Sequence, residues 1–97
     1  MKDLLKGKIC VVRSNMAGVF FGEVVEIEGS QVLIKNARKI WRWNGANTVE
    51  DISQTGVLSS SKVTVMVETV LIEKFEQIIP CTEFAITNLT NQEVWKA

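Results

Sequence analysis

Apolar and polar side chains alternate along most of this chain with the two-residue period of β-strands. The pattern predicts strands over residues 8–13 and 19–28, and a third strand that begins at residue 31 and runs to the turn signal Asn44-Gly45. A further alternating stretch at 62–72 predicts one long strand, or two joined near Glu68 and Thr69. Residues 73–79 are compatible with a strand or a helix, and Pro80 is expected to end them.

Two short helices interrupt the alternation. Thr48 is a suitable N-cap for a helix of about two turns that Gly56 would end, and Thr82 is a suitable N-cap for a helix over 83–89. Gly22, inside the second strand, indicates a β-bulge or a close backbone approach. The predicted fold is therefore α+β: one domain over 1–97, with a curved antiparallel β-sheet and two short helices. A chain of 97 residues is only marginally stable alone, so we expect a homo-oligomer.

Charge and composition restrict the class of partner. Lys and Arg total 11, as do Asp and Glu, so the net charge is zero and no overall field attracts a long nucleic acid. Any bound anion must be small and held by a local cationic pocket. The first residues do not form a secretory signal, and no apolar run approaches the ~20 residues that cross a bilayer, so a cytoplasmic protein without membrane contact is expected. In that compartment Cys10 and Cys81 are expected as reduced thiols rather than a disulfide.

Histidine is absent from the sequence. The chain thus lacks the usual general base and the commonest zinc ligand, and it contains no phosphate-loop or dinucleotide motif. We therefore predict no catalytic residues, no metal site and no cofactor. The chain is expected to bind a molecule rather than to transform one.

The stretch 36–46 concentrates candidate binding chemistry. Strand alternation would place Trp41 and Trp43 on one face, ~6.6 Å apart, where they could hold a flat ring. Arg38 and Arg42, expected near a strand edge or turn, offer planar forks suited to phosphate. A flat ring with phosphate describes a nucleotide. The alternative interpretation is that the tryptophans fill a small core and the arginines are solvated.

Three segments carry a family resemblance: 17–22 (Ala-Gly-Val-Phe-Phe-Gly), 36–46 and 78–83 (Ile-Ile-Pro-Cys-Thr-Glu). The chain resembles the phage-encoded Thoeris anti-defence family of the first type. The resemblance implies a sponge that captures cyclic ADP-ribose isomers such as glycocyclic ADP-ribose in the host bacterial cytoplasm, keeps them intact, and so starves the immune effector. It also implies dimers that associate in threes, with pockets where subunits meet, and in some members a separate site for cyclic oligonucleotides.

Two features depart from that family pattern. Arg42 lies where an aromatic side chain is expected, and no Arg or Lys occurs between Glu83 and Val94. The candidate ligand-binding residues are turn residues, aromatic rings, cations, amides and one helix cap: Ala17, Gly18, Phe20, Asn36, Arg38, Lys39, Trp41, Arg42, Trp43, Asn44 and Thr82. Two other classes of function stay open, a small single-stranded nucleic-acid-binding module and a structural assembly protein. Trp95 is expected to pack on the sheet or on a neighbouring subunit.

Overall fold

The computed structural model describes residues 2–96. A short 3-10 helix at Lys2–Leu4 precedes six strands and two α-helices. The elements are β1 (Ile9–Ser14), β2 (Gly18–Glu28), β3 (Gln31–Arg42), α1 (Val49–Thr55), β4 (Lys62–Val63), β5 (Val67–Ile72), β6 (Phe75–Pro80) and α2 (Glu83–Thr90).

All strand pairs in the sheet are antiparallel. The order is β4-β3-β2-β1-β6, and β5 pairs with the first half of β3 on the side where β4 pairs with its end. The predicted α+β fold, an antiparallel sheet with two short helices, is confirmed. β3 is the longest strand and pairs with three others, so it fixes the position of much of the sheet.

Two hydrophobic clusters lie on opposite faces of the sheet. The helix-side cluster joins alternate residues of β1, β2 and β3 to both helices through Val11, Phe21, Ile40, Ile52 and Leu89, among others. The sheet-enclosed cluster contains the intervening strand residues, and within residues 2–96 neither helix contributes to it. Its buried members are Cys10, Val12, Val24, Ile27, Val32, Ile34, Ala37 and Ile72. Because neither α-helix of residues 2–96 covers this second face, the sheet itself must enclose it, as a curved sheet does.

Gly22 supports that curvature. Pairing moves from Phe21 opposite Arg38 to Glu23 opposite Lys35, so two residues of β3 face the single position of Gly22. Asn36, one of the two, has a positive φ of 51°. A Cβ at Gly22 would lie 3.1 Å from the Lys35 carbonyl oxygen, so the bulge and the close backbone approach are both present.

The later strands correct the sequence prediction in two places. β3 ends at Arg42, so Trp43 lies beyond the strand and does not follow its alternation. Residues 62–72 form two strands, and the break falls at 64–66 rather than near Glu68. The reason is that Thr64 bonds across to β3: its N–H donates to the Lys39 carbonyl at 2.9 Å, and its Oγ1 accepts from the Lys39 N–H at 3.0 Å. The ambiguous segment after Ile72 is a strand that ends at Pro80.

Both predicted helix caps are confirmed. The Thr48 side chain accepts a hydrogen bond from the Asp51 N–H, and the Thr82 side chain accepts one from the Ala85 N–H. Gly56 ends α1 with φ 74°, where a Cβ would collide with Asn88 Oδ1. Glycine is required there because Asn88 accepts from the Val57 N–H at 2.8 Å and so joins α2 to the end of α1.

Both cysteines are free thiols, as predicted. Cys10 belongs to the sheet-enclosed cluster, whereas Cys81 packs against the helix-side cluster. Their side chains therefore belong to opposite faces of the sheet. None of the helices within residues 2–96 has the length and apolar character needed to cross a membrane.

Candidate functional site

A surface groove of about 360 Å³ lies between the β1–β2 turn and the end of β3. Five of the eleven predicted ligand-binding residues line it: Ala17, Gly18, Lys39, Trp41 and Trp43. The other lining residues are Asn15, Met16, Val19 and Ile40. We call this cleft the Trp41 groove. It brings together residues from two separate segments that the sequence analysis singled out independently.

The β1–β2 turn forms one wall of the Trp41 groove. The Ala17 N–H donates to Ser14 Oγ at 3.4 Å, and Gly18 has φ 104°, which favours glycine. A Cβ at Gly18 would lie 3.1 Å from Lys39 Cε, so the missing side chain leaves room for the lysine to cross the turn. Lys39 Nζ lies 5.7 Å from the centre of the Phe20 ring, within the range of a cation–π contact.

Trp41 is the exposed aromatic surface of the site. Its side chain is 52% exposed at the end of β3. The ring stacks on Trp95, with 4.9 Å between ring centres and 3° between ring planes. Trp41 and Trp43 were expected to share one face and hold a ligand ring together, but the structure stacks Trp41 on an indole from the C-terminal segment instead.

Cations surround this indole pair. Lys62 Nζ lies 5.1 Å from the Trp41 ring centre and 5.0 Å from that of Trp95, and Arg42 Cζ lies 5.9 Å from Trp41. Arg42 and Lys62 are also direct partners across β3 and β4, a like-charge arrangement that destabilises a sheet.

In the part of the chain that the structure describes, no Asp or Glu side chain neutralises this like-charge pair. The ion pairs in that part of the chain involve Lys6, Arg13 and Lys35, so Lys39, Arg42 and Lys62 have no carboxylate within 4.0 Å. Two cations that face each other beside an exposed ring are locally unfavourable for stability. Proteins have such unfavourable arrangements mainly at functional sites. Lys39, which lines the groove, and Arg42 and Lys62, which lie beside the Trp41 ring, thus form a positively charged patch on a chain of zero net charge.

Trp43 and Asn44, at the margin of the site, make contacts that stabilise the fold. Trp43 is half-buried, packs against the helix-side cluster, and donates from Nε1 to the Ala46 carbonyl at 3.2 Å. Asn44 organises the loop after β3: its carbonyl accepts from the Leu58 N–H at 2.9 Å, and its side-chain amide donates to Ser60 Oγ at 3.1 Å. The turn-forming interpretation of Asn44 fits these contacts.

Arg38 lies in the middle of β3, not near an edge or turn, and is only 3% exposed. Its Nε donates to the Thr64 carbonyl at 2.8 Å, and its Nη1 donates to the carbonyls of Leu89 at 2.8 Å and Thr90 at 3.3 Å. Burial lowers the pKa of this guanidinium. Arg38 therefore fixes the C-terminal end of α2 to the sheet, where a cation favours the helix dipole, and its guanidinium does not reach the groove surface.

The remaining predicted residues lie apart from the Trp41 groove. Asn36, at the bulge, lines a smaller cleft of about 200 Å³ with Met66 and Thr90. Phe20 packs against the sheet-enclosed cluster, although Lys39 lies over its ring. Thr82 caps α2 and donates from Oγ1 to the Gln54 carbonyl at 2.7 Å, which commits its hydroxyl to the junction of the helices.

Lys62 and Trp95 lie beside Trp41 but are not among the eleven residues predicted from the sequence, and neither are four residues that line the groove: Asn15, Met16, Val19 and Ile40. Lys62 could have been found by pairing the two predicted strands around Arg42, since antiparallel partners share a face. Trp95 was expected to pack back on the sheet, and it does: its backbone N–H donates to the Val63 carbonyl at 2.8 Å. Its contact with Trp41 depends on the path of the whole C-terminal segment, which no local pattern gives.

The thiols are poorly suited to nucleophilic chemistry. Burial raises the pKa of Cys10 to about 11 and that of Cys81 to about 12, so both are protonated at neutral pH. Within residues 2–96, no group of three or more His, Cys, Asp or Glu side chains could hold a metal ion. The arrangement around Trp41 offers stacking and positive charge, the two interactions by which proteins hold a nucleotide.

The fold and the groove define a small α+β protein with a cationic, aromatic surface cleft. The chain belongs to a family described as a domain of unknown function, DUF6948, whose model matches residues 7–89. That range includes every predicted ligand-binding residue and Lys62, but it stops before Trp95. Neither the curated proteins nor the solved structures gave a match.

Proposed function

We propose that this protein binds a cyclic ADP-ribose-type nucleotide and holds it unchanged, so that an immune signal no longer reaches its effector. The observation that carries the proposal is the Trp41 groove, where an exposed indole adjoins cations that lack a carboxylate partner in the described chain. The Thoeris anti-defence family that the sequence resembles sequesters such nucleotides. The role is thus that of a phage anti-defence sponge in the host bacterial cytoplasm.

Each part of the ligand has a candidate partner in the groove. Trp41 offers a flat surface for the purine, a contact that contributes ~1–3 kcal/mol per base. Lys39 lines the groove, Arg42 and Lys62 lie 5.9 and 5.1 Å from the centre of the Trp41 ring, and these cations supply the positive charge for the pyrophosphate. Ala17 and Gly18 bring backbone close to the same space. Arg38, first choice from the sequence, is left out of this assignment because its Nε and Nη1 bind backbone carbonyls and its Nη2, which has no partner among the described residues, is buried.

Sequestration also fits the side chains that are available. The sequence has no histidine to act as a base, and both thiols are protonated at neutral pH. The Trp41 groove of one chain is an open depression, and a second copy packed over it would enclose the ligand further. The proposal therefore includes a homo-oligomer with ligand between subunits, of the dimer or trimer-of-dimers kind that the resemblance implies, and a separate site for cyclic oligonucleotides belongs to the same expectation.

Calorimetric titration tests the proposal directly. The purified protein is titrated with a panel of cyclic ADP-ribose isomers, cyclic oligonucleotides and single-stranded oligonucleotides of increasing length. We expect micromolar or tighter binding of one cyclic ADP-ribose isomer, which mass spectrometry recovers intact after heat denaturation of the protein. Recovery of a cleaved product would contradict sequestration.

A matched pair of variants locates the site in the same experiment. Lys62→Ala removes a cation that lies 5.1 Å from the Trp41 ring centre, whereas Lys35→Ala removes one that pairs with Glu23 at 3.5 Å. We expect only the first variant to weaken binding. Binding that strengthens with oligonucleotide length and falls steeply with salt would instead indicate a single-stranded nucleic-acid module. An assembly protein would bind none of the panel.

A further inference from the structure

The segment after α2 returns to the sheet through few interactions. Val94 forms an isolated parallel bridge with Val63, and the Trp95 N–H donates to the Val63 carbonyl at 2.8 Å. Val94 is 44% exposed, and Lys96 is exposed as well. Gln92, earlier in the same segment, donates to the Val57 carbonyl at 3.1 Å and to Asn88 Oδ1 at 3.2 Å, so one short bridge holds only the residues beyond it. Such a chain end opens at a lower free energy than the paired strands of the sheet.

This weakly held segment places an indole on the ligand-binding ring of the Trp41 groove. The two ring planes differ by 3°, and their centres are 4.9 Å apart. That is the offset parallel geometry in which a purine stacks on tryptophan. Lys62 lies at equal distance from both rings, 5.1 and 5.0 Å, so the cation faces the pair as it would face a ring stacked in place of Trp95.

We propose that Trp95 is a displaceable cover of one face of the Trp41 ring, whose indole occupies that stacking face until the purine of a nucleotide takes its place. The inference rests on the proposed function for the identity of the nucleotide. It adds a residue and a step that lie outside the family match, which ends at residue 89. Binding exchanges one flat ring for another, and the phosphate contacts with the cations drive the exchange.

Hydrogen exchange of the ligand-free protein tests the cover without any nucleotide. Amide exchange is followed residue by residue in the full chain. We expect the Trp95 N–H to exchange at least 100-fold faster than the N–H groups of Val11 and Val12, which lie in the buried sheet, because its opening is local. Equal protection of Trp95 and these core amides would overturn the proposal, since a cover that opens only on global unfolding cannot exchange with a ligand.

Titration of variants gives the second test. Trp95→Ala and Trp95→Leu remove the flat ring, and we expect the Kd for the cyclic ADP-ribose isomer bound by the wild type to fall about 3- to 10-fold, because the competing ring is gone. Phe84→Ala removes an exposed ring from α2 and serves as the control with unchanged Kd. An unchanged or higher Kd for both Trp95 variants would overturn the proposal.

The two tests separate this inference from the proposed function. If neither the wild type nor the variants bind any nucleotide of the panel, the proposed function fails, and hydrogen exchange alone decides whether Trp95 opens. If the wild type binds and the Trp95 variants bind more weakly, the proposed function survives while the cover fails, because Trp95 then contributes to the ligand contact instead of blocking it.

Discussion

The middle and the end of β3 carry the same kinds of side chain in opposite environments. Arg38 is 3% exposed and donates to three backbone carbonyls, whereas Arg42, four residues later, is exposed and opposes Lys62. The first cation joins a helix, a loop and the sheet. The guanidinium of Arg42 has no hydrogen-bond acceptor and no carboxylate partner within the described residues. The comparison teaches that partner atoms, rather than residue type, separate a cation that stabilises the fold from one that is free for a ligand.

The largest expected effect comes from removing the buried cation. Arg38→Met leaves the carbonyls of Thr64, Leu89 and Thr90 without their donors, and we expect the free energy of unfolding to fall by about 2–4 kcal/mol. Urea denaturation measures the change. Arg13→Met, at a half-exposed arginine whose Nε lies 4.0 Å from Glu76, is the control and should change stability by less than about 0.5 kcal/mol. Equal losses in the two variants would show that the contacts of Arg38 contribute little.

Removing the exposed ring should affect binding instead of folding. Trp41→Ala deletes the proposed purine contact, and we expect the Kd for the cyclic ADP-ribose isomer to rise about 10- to 100-fold. Because Trp41 is 52% exposed, the free energy of unfolding should change by less than about 1 kcal/mol. Calorimetry and urea denaturation on the same preparation measure both quantities. A large loss of stability with unchanged binding would assign Trp41 to structure and contradict the proposed site.

Reversing the charge at the end of β3 should move stability and binding in opposite directions. Arg42→Glu replaces a like-charge pair with a Glu–Lys pair across β3 and β4, so we expect stability to rise by about 0.5 kcal/mol. The same change removes positive charge from the groove and should weaken nucleotide binding at least about tenfold. Lys35→Gln, in the first half of β3, is the control for binding. A variant that loses both stability and binding would show that Arg42 has a structural role like that of Arg38.

A separate expected effect is a loss of stability in alkali. The folded pKa values of Cys10 and Cys81, about 11 and about 12, lie above the ordinary thiol value of 9.0. The folded state therefore keeps protons that the unfolded chain releases, and the thiol contribution is fully present below pH 9 and is lost as pH rises toward 11–12. Urea denaturation of the wild type and of a Cys10→Ala, Cys81→Ala double variant between pH 8 and about 10.5 isolates this contribution. Identical pH slopes in both proteins would refute it.

Local signals predicted the parts of the fold that depend on near neighbours. The two threonine caps, the glycine that ends α1 and the bulge at Gly22 each follow from the conformational preference of one or two residues, and each is confirmed. The break at 64–66 was misplaced because it depends on bonds between Thr64 and Lys39, which are 25 residues apart. Sequence alternation contains no information about such a partner.

The site was predictable to a similar extent. The residues of the β1–β2 turn and the end of β3 do line one groove, because each group is set by a local turn or strand. The role of Arg38 could not be foreseen, since its acceptors lie on β3's neighbouring loop and on α2, 26 to 52 positions away. Trp43 left the expected face because the strand ends one residue before it. Long-range packing decided each of these cases.

For the proposed Trp95 cover, the attachment of α2 sets a threshold for the ligands that can bind at Trp41. Arg38 holds the last carbonyls of the helix, and only four residues, 91–94, separate its end from Trp95. Because this connection is short, the Trp95 indole has an effective concentration on the order of millimolar at the face of Trp41. Nucleobases and nucleosides carry no phosphate to contact the cations. At their cellular concentrations they would therefore not displace the Trp95 ring from Trp41. The short connection between α2 and Trp95 would thus make the site selective for phosphorylated ligands.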